Sequence, residues 1–120
     1  MAVNYGSRRT VVGAHYGTRD WLGQRITAVI LVLYTLYLLF SVLSVQDLNY
    51  ASWFGLFLSP FMKVATLLAL LSLVYHAWVG VRDVFMDYIK QTWLRLLLEI
   101  GTIVLLVGYA AWAVIILWRV

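Results

Sequence analysis

Three stretches of the chain, residues 26–46, 64–81 and 100–118, carry no charged side chain. A helix needs about 20 mostly apolar residues, at 1.5 Å of rise each, to cross the hydrocarbon core of a bilayer. Each stretch therefore reads as a transmembrane helix. The pattern predicts an all-α membrane protein with three transmembrane helices, at about 22–46, 60–88 and 93–118, behind an N-terminal segment 1–21. No repeat, low-complexity tract or second domain interrupts it. The connection 47–60 is itself rich in apolar and aromatic side chains, among them Leu48, Tyr50, Trp53, Phe54 and Phe57, and is expected to lie along the outer interface. Pro60 suits the first turn of the second span.

Composition agrees with the pattern. Of 120 residues 64% are hydrophobic and 12% are charged, against about 45–50% apolar residues in an average soluble domain. The 14 charged residues are too few to cover a globule of this size. The absence of cysteine excludes a disulfide framework, a thiolate metal site and an iron–sulfur cluster held by this chain alone. Nothing in the charge pattern points to a nucleic-acid partner. The N-terminal segment has arginines but no apolar run of its own, unlike a cleavable signal peptide, and too little serine for a transit sequence. A bacterial inner membrane is the expected location.

Basic residues set the expected orientation, because short loops rich in Lys and Arg stay cytoplasmic. Arg8, Arg9, Arg19 and Arg25 precede the first span, Arg82, Lys90 and Arg95 surround the second connection, and only Lys63 and Arg119 lie on the other side. The N-terminus is therefore expected in the cytoplasm and the C-terminus in the periplasm. Trp21, Trp53, Trp93 and Trp118 fall near the expected span ends, where indole rings favour the headgroup level.

One ionisable residue lies well inside a span: His76. Such residues are costly in a membrane and mark functional sites; neutral imidazole is also a haem-iron ligand. A purely structural histidine, bonded to a backbone carbonyl or to Ser72 one turn earlier, is the competing reading. Steps of three or four residues from Ala65 through Ala69, Ser72, His76, Gly80, Asp83 and Asp87 trace a small or polar face. Gly80 is expected to leave room beside the imidazole for a macrocycle edge, although ordinary helix packing explains the glycine equally well. His15, near the N-terminus, is too far along the chain to be the second ligand, so that ligand is expected from another polypeptide; His15 itself is expected to be solvated or interfacial. Arg82, Asp83, Asp87 and Tyr88 end the second span on the side where the first begins at Arg25. Asp87 lies about 16 Å from His76 along a helix axis. Tyr88 as donor, Arg25 or Arg82 as cation and Asp87 as acceptor suit a quinone carbonyl, and suit an interfacial salt-bridge cluster equally well. Gly101, Gly108 and Ala111 form a narrow strip on the third span, which reads as helix packing.

The run from His76 to Lys90, with the spacing H-x-W-x-G-x(6)-D-Y-x-K, resembles the signature of the small hydrophobic membrane anchor of bacterial succinate dehydrogenase. Similar stretches precede it: Gly13 to His15, then Arg25, Thr27 and Ala28 leading into the first span, and Leu48 through Lys63 with Thr66 to Leu70 before the histidine. The resemblance covers most of residues 13–92. It implies a single membrane-anchor domain in a complex with a flavoprotein subunit, an iron–sulfur subunit and a larger cytochrome b anchor subunit, embedded in lipid. It also implies a haem b shared between the two anchors and ubiquinone as the electron acceptor. By the same resemblance His76 is the haem ligand of this chain, Tyr88 contacts the quinone, Asp87 is the carboxylate beside it, and Arg25 lies near the haem propionates and the quinone. Such a chain is active only within its complex. A fumarate reductase anchor, a self-associating small membrane protein without redox cofactor, and a homodimeric cytochrome remain the alternatives.

Overall fold

The computed structural model describes the backbone of residues 6–120 and the side chains from Gly17 onward. It is all helical, in the order α1 (Gly6–Leu43), α2 (Tyr50–Leu56), α3 (Pro60–Tyr88) and α4 (Thr92–Trp118). Helix α1 begins well before the expected start near residue 22, and the span-like part of it is Gly17–Leu43. That stretch, α3 and α4 number 27, 29 and 27 residues, each long and apolar enough to cross a membrane. At 1.5 Å per residue they measure about 40 Å or more, enough for a hydrocarbon core of about 30 Å.

Hydroxyl groups within these helices, and that of Ser44 just past the end of α1, bond to helix backbone. Thr35 donates to the Leu31 carbonyl at 2.7 Å, Ser41 to Tyr37 at 2.8 Å, Ser44 to Phe40 at 2.8 Å and Thr102 to Leu98 at 2.8 Å. Each satisfies a donor that lipid leaves without a partner.

The connection 47–60 contains a short helix that the hydrophobic pattern does not reveal. Asn49 caps α2: its side chain accepts from the Ser52 amide at 2.9 Å, and the Ser52 hydroxyl accepts from the Asn49 amide at 2.9 Å. That reciprocal pair is a capping box with serine in the third position. Pro60 opens α3 in the first turn, and residues 89–91 turn the chain tightly into α4.

Helix α3 lies between α1 and α4 and packs on both. The apolar core is small: Met62, Ala69, Val79 and Leu117. Large apolar side chains on all three long helices, such as Phe40, Leu43, Phe61, Val104 and Trp112, are exposed. Outward-facing apolar surface on this scale requires lipid or another polypeptide. Gly101 and Gly108 are exposed with no atom within 4 Å of an added methyl group, and Ala111 is exposed too. The strip on α4 therefore faces outward instead of packing against a helix of this chain. α4 meets α3 through larger residues, which left its small face free.

Candidate functional site

The site is built where α1 and α3 cross. Thr27 is buried on α1, and its hydroxyl oxygen lies 3.0 Å from Nδ1 of the half-buried His76 on α3. The same hydroxyl donates to the carbonyl of Gly23 at 2.7 Å, with the Gln24 carbonyl at 3.1 Å. A hydroxyl has one hydrogen. With that hydrogen committed to its own helix, the oxygen accepts from Nδ1–H, and the lone pair of the imidazole resides on Nε2. The partner of His76 is thus neither a carbonyl nor Ser72, which is buried elsewhere on α3.

His76 borders a groove of about 380 Å³, lined otherwise by Gly17, Asp20, Trp21, Gln24, Arg25 and Ala28 of α1 and by Asp83 of α3. Ala28 of α1 lines the groove near the level of the imidazole, and Gly17 lines it about three turns further toward the N-terminus. Gly80 does not line this groove; a methyl group added there would lie 3.7 Å from the Gln24 amide nitrogen of α1, an ordinary contact distance. Arg25 enters the groove with its guanidinium carbon 5.4 Å from the centre of the Trp21 ring, a cation–π contact that holds it at the rim. Gln24 contributes a buried amide oxygen without a hydrogen-bond partner among the described residues.

Two further polar links join the same helices. Arg82 forms an ion pair with Asp20, both about a quarter exposed, and a second oxygen, on Asp83, lies 3.9 Å from its guanidinium. Tyr34 and Thr66 are 2.8 Å apart, and Thr66 donates to the Met62 carbonyl at 2.7 Å, so the tyrosine is the donor between helices. Asp20, Thr27 and Tyr34 are spaced by seven residues, close to two helical turns, and so lie on one face of α1. That spacing is visible in the sequence and was the missed sign of where α1 meets α3. It identifies Thr27 and Asp20 as site residues that the histidine alone does not suggest.

The polar groups at the end of α3 do not converge on one point. Arg25 shares a groove with His76, and Arg82 is engaged by Asp20, so of the two candidate cations Arg25 is the one at the groove. Asp87 and Tyr88 do not line the groove; they lie at the exposed end of α3, with Tyr88 80% exposed. The side chain of His15 lies outside the described residues. Among the described residues no three His, Cys, Asp or Glu side chains form a cluster able to hold a metal ion. A haem iron is a different case, because it asks one protein chain for a single axial nitrogen. An imidazole held through Nδ1, the groove that it lines and the arginine at the rim of that groove fit one side of such a site.

Three lipid-length helices define a multi-pass membrane protein, with a histidine held beside a groove where two of them cross. The chain belongs to the succinate dehydrogenase/fumarate reductase transmembrane subunit family, whose model matches residues 4–116. It is 40% identical over 102 residues to the succinate dehydrogenase hydrophobic membrane anchor subunit of Coxiella burnetii, covering 85% of this chain and 89% of that one. The subunit of the same name from Rickettsia bellii is 38% identical over 96 residues, or 78% and 70% of the two chains. That from Rickettsia felis is 34% identical over 106 residues, or 86% and 87%. Membership places the chain in a membrane-bound oxidoreductase complex as one of its anchoring subunits.

Proposed function

We propose that this chain is the small anchor of a bacterial succinate dehydrogenase, that it supplies one axial ligand of a shared haem b, and that it forms part of the site where ubiquinone is reduced. The observation that carries the reading is the commitment of Nδ1 of His76 to Thr27, which leaves Nε2 as the ring nitrogen available to a ligand, on a residue that lines the groove. The haem, when bound, supplies a one-electron carrier between the soluble subunits and the membrane. Arg25, at the groove rim, offers a fixed positive charge for a propionate or a quinone oxygen. Tyr88 and Asp87, exposed at the end of α3, are the donor and acceptor for a quinone carbonyl approached from outside this chain. The larger anchor supplies the second histidine, and the iron–sulfur subunit docks at the cytoplasmic face, beside Tyr88. The excess of basic residues in the N-terminal half of α1 and around the α3–α4 turn orients the N-terminus to the cytoplasm and the C-terminus to the periplasm of an inner membrane.

Purification through a tag on this chain tests the reading. Three further subunits and a b-type band in the reduced-minus-oxidised spectrum are expected, and His76→Tyr is expected to remove or shift that band. Tyr88→Phe should retain the haem and the oxidation of succinate by an artificial dye while losing most quinone reduction. Normal quinone turnover in that variant removes Tyr88 from the site. Isolation as a lone chain without haem overturns the reading as a whole.

A further inference from the structure

Thr27 lies outside the run from His76 to Lys90 and has been given no role of its own, yet it is the residue that determines what the histidine presents. We infer that Thr27 is a positioning residue for the haem ligand: it sets the tautomer of His76, stops the ring from turning, and tunes its strength as a donor. The inference rests on His76 being an axial ligand and goes beyond it.

The warrant is the chain of contacts from His76 Nδ1–H to the Thr27 oxygen at 3.0 Å, and from the Thr27 hydroxyl to the Gly23 carbonyl at 2.7 Å. Thr27 is only 8% exposed, so water does not compete readily for either bond. A threonine in a helix commonly returns its hydrogen to the carbonyl four residues earlier; here that habit turns the oxygen into an acceptor of fixed direction. The neighbouring residue braces the arrangement. The ring of Tyr75 packs on Gly23, where an added methyl group would lie 2.7 Å from Cε1 and 2.8 Å from Cζ. Consecutive residues of α3, Tyr75 and His76, thus rest on α1 positions 23 and 27, one turn apart. Sliding α1 along α3 would break both contacts together, so the aim of Nε2 depends on the register of two helices and not on the histidine rotamer alone.

Partners of this kind normally orient a metal-bound imidazole and raise its basicity, and their loss costs about 10–100-fold in metal affinity or activity. A neutral hydroxyl accepts the Nδ1 hydrogen without drawing it away as a carboxylate would. Removing the acceptor should make His76 a weaker donor and disfavour the ferric state.

The test compares the intact complex carrying wild-type chain, Thr27→Val and Thr27→Ser. Thr27→Val keeps the shape and removes the hydroxyl, whereas Thr27→Ser keeps the hydroxyl. The expected result is a haem b in Thr27→Val that dissociates more readily, by about 10–100-fold in affinity, with a raised midpoint potential and altered low-spin EPR g values. Thr27→Ser should restore wild-type potential and spectrum. A Thr27→Val complex identical to wild type in all three readouts overturns the inference while leaving His76 as ligand. Absence of haem from the wild-type complex overturns both. Should Thr27→Val fail to assemble, pulsed EPR of the wild-type complex decides: an exchangeable proton on the remote nitrogen of the His76 ring supports the inference, and a bare Nδ1 overturns it.

Discussion

The two seams of this bundle are built differently. Between α1 and α3 run, among the described residues, three polar links, Asp20 with Arg82, Thr27 with His76 and Tyr34 with Thr66, interleaved with the close approach at Gly23. Between α3 and α4 the facing residues are apolar and aromatic: Leu71, Val74 and Trp78 opposite Ile103, Leu106 and Val107. The side-chain hydrogen bond near that seam, from Lys63 to the Val120 carbonyl at 2.7 Å, lies beyond the end of α4. In lipid, an apolar seam gains little over the lipid tails it displaces, whereas small residues and hydrogen bonds confer closeness and register. The seam with specified register is the one that holds the histidine. The other gives α3 a second flank and leaves the small face of α4 outward.

Breaking the strongest link should have the largest effect on this contrast. Arg82→Leu leaves the carboxylate of Asp20 without its cation in a half-buried position. The expected cost is about 1–3 kcal/mol, between surface and buried ion pairs, seen as a lowered thermal midpoint of the solubilised complex. A double-mutant cycle with Asp20→Asn should recover most of that cost as coupling. Tyr34→Phe removes one hydrogen bond between helices and should cost about 0.6 kcal/mol, the average for such bonds in a membrane protein. Its haem spectrum should match wild type, because the link lies two helical turns from Thr27. Gly108→Ala on α4 should be the smallest: an added methyl group meets nothing in this chain. A large loss of assembly in Gly108→Ala would show instead that another subunit covers that face.

The three spanning helices and the singular histidine are legible in the sequence because charge-free runs and an intramembrane imidazole are local signals. The register between helices is less so. It depends on Asp20, Thr27 and Tyr34, three residues of different chemistry whose common face appears only when the seven-residue spacing is set against the residues of α3 that receive them. Gly80 shows the same limit: a glycine four residues from a histidine says that something can come near, and in the structure the neighbour is the Gln24 side chain of α1. The small strip on α4 meets no helix among the described residues of this chain, since small residues permit an approach without supplying the helix that makes it. Helix α2 was hidden because its formation rests on the capping pair Asn49 and Ser52, not on hydrophobic periodicity.

The central claim is that the α1–α3 seam aims Nε2 of His76 at the iron of a haem shared with a neighbouring subunit. A cryo-electron microscopy map of the complex purified through this chain tests it most directly. The account predicts density for a haem against the groove of Ala28 and Arg25, with Nε2 of His76 within bonding distance of the iron and Nδ1 on the Thr27 oxygen. A haem ligated by other residues, or an imidazole turned so that Nδ1 faces the groove, would contradict it.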